Sequence, residues 1–146
     1  MNIIEKVKDI IQSFPKISEV VNDVHIDFTD KEPASYGLSP IGDKLIYEDV
    51  LGNLRKQHSF LLFATFGSIN DYERLMNSSA LLELSDWLRT QTGAEVETAI
   101  DGKICTGEIT RLTAENGALL AVPEENGIQG VQYQLQIIAE YTVNIF

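Results

Sequence analysis

Apolar residues at Ile3, Ile4, Val7, Ile10, Ile11 and Phe14 are spaced by three and four, which lays one stripe along a helix that Pro15 ends. Val24, Ile26 and Phe28 then alternate with His25 and Asp27, predicting a short strand that the run TDKEP breaks. From Ser39 to Asn53 the chain carries Pro40, Gly42 and Gly52 around Leu45, Ile46 and Tyr47, which reads as a hairpin arm or long loop. The strand predicted from Leu54 to Phe66 changes character midway. Arg55 to Ser59 are polar on both faces, whereas Phe60 to Phe66 are apolar on nearly both. A strand apolar on both faces lies inside a core and one polar on both has left it, so this strand is expected to run outward into a protruding arm.

Residues Asn70 to Thr92 form a second helical pattern, with Ser68 or Asn70 as N-cap, acidic Asp71 and Glu73 in the first turn and Gly93 past the end. Tyr72, Leu75, Met76, Ala80, Leu84, Trp87 and Leu88 supply its buried face, while Leu81 and Leu82 spill to the other side. Asn116-Gly117 predicts a hairpin between Glu108–Thr113 and Ala118–Val122, and Pro123 to Gly127 predicts a further turn. The clearest alternation comes last, with Val131, Tyr133, Leu135, Ile137, Ala139, Tyr141, Val143 and Ile145 in one phase. A run of this length would extend ~50 Å at ~3.3 Å per residue, so it must bend through a bulge or pair beyond its own domain. Trp87, Tyr133, Leu135 and Ile137 are expected to meet in one core.

Helix, strands, helix, strands with hairpin connections point to an α+β class: an antiparallel sheet packed against two main helices, with a protruding β-hairpin arm at 39–58. A chain of 146 residues fits a single domain, 1–146. Its 44% hydrophobic and 23% charged residues are ordinary globular composition.

Charge changes the picture more. Asp and Glu number 22 against 11 Lys and Arg, a formal charge of -11, and the pI is near 4.5. No basic cluster exceeds Arg55-Lys56, so repulsion from a nucleic-acid backbone is expected and specific nucleic-acid binding is not. The opening segment interleaves Glu5, Lys6, Lys8 and Asp9 with its apolar residues where a signal peptide would be uninterrupted, and no run approaches the ~20 apolar residues of a membrane span. A cytoplasmic site of folding and no membrane partner are therefore expected.

The residues capable of chemistry are few. His25 and His58 are the two histidines, and neither lies in a metal or catalytic spacing. Cys105 follows Lys103-Ile104 at the start of a predicted strand and reads as a small buried hydrophobe. Asp27, Asp30 and Glu32 lack the spacing and loop glycine of a calcium loop and read as a solvated turn. No Gly-rich phosphate loop is present. The expectation is no catalytic residues, no metal, no cofactor and no enzyme. What remains is docking, and the residues expected to carry it are Lys44, Tyr47, Asp49, Arg55 and Lys56 in the arm. Lys44, Arg55 and Lys56 form a rare basic group on an acidic chain, suited to an acidic surface of an adjacent subunit.

Three stretches, VHIDFTDKEPASYGLSP, INDYERLMNSSALLELSDWLRTQT and GEITRLTAENGALLAVPEENGIQGVQYQLQIIAEY, together cover most of the chain. In this order they resemble the small minor structural proteins encoded among the head and tail genes of phages and prophages. The elements carrying the resemblance are Ser35-Tyr36, Asp86-Trp87-Leu88 and Tyr133-Gln134-Leu135-Gln136. It implies a virion structural protein of the tail-terminator, tail-completion and head-tail joining group, which would self-assemble into a ring, often a hexamer. Its implied partners are further copies of itself, the tail-tube protein and the head connector protein. The implied location is host cytoplasm during assembly and then the virion tail at the head-tail interface. A small-molecule enzyme or a monomeric prophage adaptor is the alternative.

Overall fold

Asn2 starts the first helix, α1 (Ile3–Gln12), through a capping box. Its Oδ1 accepts from the Glu5 amide at 2.9 Å while its own amide donates to Glu5 Oε1 at 3.2 Å, so two orphan donors of the first turn are satisfied. Ile3, Val7, Ile10 and Ile11 form the predicted stripe and are buried, followed by Phe14. The computed structural model describes residues 1–15, 36–66, 80–121 and 131–145. The strand predicted at Val24–Phe28, the turn at Pro123–Gly127 and the acidic group Asp27, Asp30 and Glu32 lie outside them, as does His25.

The remaining elements among the described residues are β1 (Tyr36–Glu48), β2 (Leu54–Phe66), α2 (Ala80–Arg89), β3 (Glu95–Ile100), β4 (Lys103–Ala121) and β5 (Val131–Val143). Five antiparallel strands form one sheet in the order β1-β2-β5-β4-β3. The class is α+β, as the alternation of patterns implied. α2 covers the second part of the predicted helix, and its start with Ser68 and Asn70 lies outside the described residues. The helix ends at Arg89, short of the predicted Thr92, and Gly93, at a φ of 91°, turns the chain toward β3, its amide donating to the Ile109 carbonyl at 2.8 Å.

One apolar cluster joins both helices to the inner face of the sheet. The even phase of β2 (Phe60, Leu62) and the odd phase of β5 (Leu135, Ile137, Ala139, Tyr141, Val143) are buried in one cluster with Val7, Ile11, Leu84 and Leu88. Each fully buried Leu or Ile contributes roughly 1.5–3 kcal/mol by leaving water. Trp87 is only partly buried; it packs against this cluster and tilts on Phe14 with ring centroids 5.3 Å apart. Leu135 and Ile137 thus share the expected core with Trp87, while the Tyr133 side chain lies outside the described residues. Cys105 is buried, as a small hydrophobe would be. Leu82 points outward at 71% exposure, in line with its place off the apolar stripe.

Three sequence expectations need correction. The first concerns 39–58, which forms a hairpin but not a free arm. β2 pairs with β5 from Leu54↔Val143 to Phe66↔Val131 while β1 holds its other side, so its polar half is an interior strand. Two of its polar side chains are held within the sheet: His58 is buried and stacks on Phe60 at 4.5 Å, and Lys56 pairs with Asp43.

The second concerns the hairpin signals. Asn116-Gly117 is not a hairpin turn but sits inside β4 at a register irregularity between Glu115 and Ala118. The two-residue hairpin is at Asp101-Gly102, where φ values of 51° and 78° join Ile100 to Lys103. Both dipeptides tolerate positive φ, and only the flanking strand lengths separate them. The third concerns β5, which pairs with β2 and β4 on its two sides and needs no partner beyond the sheet. The bulges that accommodate its length lie in its neighbour, as at Thr110, which restores Leu112 to the inner face after Ile109.

Gly107 is where β4 and the end of β5 come closest. A Cβ there would stand 1.8 Å from the Thr142 carbonyl oxygen, and neighbouring bonds fix the approach: Glu108 N–H to Thr142 Oγ1 at 3.0 Å and Asn144 N–H to the Thr106 carbonyl at 2.9 Å. Gly107→Ala must push the strands apart and is expected to cost about 1–3 kcal/mol. A urea titration reads this as a lower midpoint, and an unchanged midpoint contradicts the packing.

Candidate subunit-contact surface

Among the described residues β1 is an edge strand, paired on one side with β2. Its residues from Pro40 to Glu48 are exposed, because no helix among the described residues covers this end of the sheet. Ile41, Leu45, Ile46 and Tyr47 lie 43–60% exposed, and Val50 and Leu51 at the hairpin tip reach 101% and 64%. Six large apolar side chains within eleven positions form an apolar ridge along this edge, Leu45 on the inner face opposite Lys56 and Tyr47 on the outer face opposite Arg55, and such a concentration of exposed apolar groups marks an interaction site on a folded domain.

The tip that presents Val50 and Leu51 is held by Asp49. Its Oδ1 accepts from the amides of Leu51 and Asn53, both at 2.9 Å, and its Oδ2 accepts from Asn53 Nδ2 at 3.2 Å. Gly52 supplies the positive φ of 89° that the turn needs, and its amide donates to the Asp49 carbonyl. Asn53 Oδ1 accepts from the Ile145 amide at 2.8 Å, which fastens the tip to the chain after β5. The two aliphatic residues are therefore displayed by a bonded turn.

The edge itself is anchored by a polar cluster on the inner face. Lys56 Nζ lies 2.6 Å from Asp43 Oδ2, and the Tyr141 hydroxyl donates to the same carboxylate with both oxygens at 3.1 Å. β1, β2 and β5 each contribute one member, so the carboxylate ties the edge strand across its neighbour to the sheet centre. Burial, then the Asp43 charge and the hydrogen bond to it, raise the Tyr141 phenol well above its ordinary value of 10.0.

The five residues expected to dock divide by this geometry. Lys44, Tyr47 and Arg55 share the outer face of the β1 end, since Lys44 pairs across from Gln57 and Tyr47 from Arg55, and all three are exposed. Lys56 lies on the inner face in its pair with Asp43, and Asp49 organises the turn. Leu45, Ile46, Val50 and Leu51 join this surface beyond those five. Their signal was apolar residues flanking Gly52 with no helix pattern near enough to cover them.

At the opposite edge, β3 carries Glu95, Glu97 and Ala99 on the outer face, with Glu108, Thr106 and Ile104 of β4 beside them. Met1, Ala99 and Ile104 floor a hollow of about 250 Å³ that Glu5 and Glu97 rim. The Glu97 amide donates to the Met1 carbonyl at 2.9 Å, which occupies one outward donor of this edge.

Among the described residues no His, Cys, Asp and Glu grouping suits a metal ion, and no helix is long and apolar enough to cross a membrane. No protein-family model matches the chain, and no curated protein sequence matches it.

The anchoring cluster has a pH signature. Because the folded-state value of Tyr141 is raised, the fold stabilises the neutral phenol; this contribution is complete below pH 10 and is lost as pH rises beyond it. Tyr141→Phe is expected to lower stability at neutral pH by about 1.5–3 kcal/mol, the range for a hydrogen bond to a charged group, and to flatten the decline above pH ~10. Denaturant midpoints across pH measure both. Parallel curves for the two proteins would remove Tyr141 from this role.

Proposed function

We propose that this chain is a virion structural protein that caps or completes a phage tail and joins it to the head, through ring-type self-assembly. The observation that carries the reading is the rigidly held, apolar β1 edge: a chain of charge -11 spends few positions on exposed apolar groups, yet clusters six of them between Ile41 and Leu51. An interaction surface built this way suits a permanent place in an assembly. The resemblance of the three stretches to minor head and tail proteins supplies the kind of assembly.

In this role the protein folds in the host cytoplasm and then occupies the head-tail interface of the virion. Its partners are further copies of itself, the tail-tube protein and the head connector protein. The acidic charge has a use there, since a ring through which the genome passes must not retain it, and like charge repels the phosphate backbone. Neither a cofactor nor a catalytic residue enters this function.

Deletion of the gene from an inducible prophage that carries it tests the proposal. Electron microscopy of the induced lysate is expected to show tails of uncontrolled length and heads without tails, with infectious titre falling by several orders of magnitude and returning when the intact gene is supplied from a plasmid. Particles of normal length and titre from the deletion strain would overturn it.

A further inference from the structure

The two edges of the sheet carry opposite charge on the same face. At the β1 end the outer face holds Lys44 and Arg55 with Tyr47 and Gln57, and no carboxylate of β1 or β2 shares it, because Asp43 and Glu48 fall in the inner phase opposite His58 and Leu54. At the β3 end it holds Glu95, Glu97 and Glu108, all exposed. The N-terminal ammonium of Met1 reaches Glu97 Oε2 at 3.4 Å, leaving Glu95 and Glu108 beside it, and Arg111, the basic side chain of β4 on that face, lies beyond the Thr110 bulge and is turned to Glu140 of β5 at 3.6 Å. With β2, β5 and β4 between them, the two ends are separated by ~19 Å at ~4.8 Å per strand.

Apolar groups match in the same way. Tyr47, Val50 and Leu51 project at the β1 end, and the hollow floored by Met1, Ala99 and Ile104 lies at the β3 end, with Ile104 at 65% exposure and Met1 at 53%. One end offers an apolar projection flanked by cations, and the other an apolar hollow rimmed by carboxylates.

We propose that successive copies of this chain dock head to tail, the β1 end of one placing Tyr47 and the Val50-Leu51 tip against the Met1, Ala99 and Ile104 hollow of the next, with Lys44 and Arg55 facing Glu95 and Glu97. The inference rests on the ring reading above and gives that ring its two surfaces. Side-chain docking is favoured over addition of a strand, because Pro40 and register breaks at Ile41 and Ile46 interrupt the β1 edge and Met1 occupies part of the β3 edge. A contact between two different patches is heterologous and repeats until the rotation closes, whereas a contact of one patch with itself stops at a pair. Apolar burial supplies the attraction, and the charges fix orientation and register.

Sedimentation of the full-length chain over a range of concentrations tests this, with circular dichroism melts to verify that each variant is folded. The unaltered protein is expected to move to species larger than a dimer on concentration. Lys44→Glu with Arg55→Glu, and separately Glu95→Lys with Glu97→Lys, are each expected to stay at the monomer position, since each places like charges at every junction. Their equimolar mixture is expected to recover assembly, because alternating copies restore opposite charge at both junctions. Assembly of either variant alone, a mixture that stays monomeric, or an unaltered chain that is monomeric throughout would overturn the proposal.

A second arm replaces Cys105 by Ala and introduces Lys44→Cys and Glu95→Cys together. Oxidation is expected to yield a ladder of dimers, trimers and larger products, while either new cysteine alone yields none. Dimers from Lys44→Cys alone would mean that β1 meets β1, which contradicts head-to-tail docking. The particle phenotype of the gene deletion is independent of these outcomes: if it holds while the charge reversals have no effect, this interface falls and the virion reading stands.

Discussion

Strand β5 sets the terms for the rest of the molecule. It hydrogen-bonds to β2 and β4 on its two sides, and its odd residues from Leu135 to Val143 are buried without interruption. A two-residue period leaves no freedom in such a strand, because a slip of one position would turn Leu135, Ile137, Ala139, Tyr141 and Val143 to the outer face and bring Gln134, Gln136 and Glu140 under the helices. Its neighbours therefore adapt to it. β4 takes up bulges near Thr110 and Glu115 to stay in phase, and β4 carries glycine at 107, where only a hydrogen fits against Thr142. The central position of β5 also leaves β1 and β3 as the edges among the described residues, which places the two candidate contact surfaces at opposite ends of one layer.

Much of this was legible in the chain because periodicity reports burial directly. The α1 stripe, the β5 alternation, the buried Leu84 and Leu88 on α2 and the α+β class all follow from it. What periodicity does not report is lateral order. Residues Arg55 to Ser59 look solvated on both faces, yet they lie in an interior strand because Asp43 reaches Lys56 from the next strand and Phe60 stacks on His58. Both partners are visible in the sequence, but their pairing depends on a register that the sequence pattern leaves open. The Asp101-Gly102 and Asn116-Gly117 dipeptides make the same point: identical local chemistry gives a turn in one place and an irregularity within a strand in the other.

The candidate site was legible in part for the same reason. Composition marked Lys44, Arg55 and Lys56 as unusual on an acidic chain, but only the register separates the outward pair Lys44 and Arg55 from Lys56, whose charge is matched by Asp43. The apolar ridge was hidden because Leu45 and Ile46 have the composition of a core strand, and exposure becomes evident only once β1 is known to be an edge that no helix among the described residues covers. Asp49 is a related case, since a carboxylate beside a tip reads as a contact residue until its bonds to the Leu51 and Asn53 amides give it a turn to hold.

The account depends on the two sheet edges being surfaces that other copies cover while the centre stays as it is. Hydrogen-deuterium exchange followed by mass spectrometry at low and high protein concentration observes this without altering a residue. Peptides spanning Lys44–Leu51 and Glu95–Ala99 are expected to gain protection together as concentration rises, with β5 peptides protected equally at both. Protection confined to one edge, or gained only at the helices, would contradict the account.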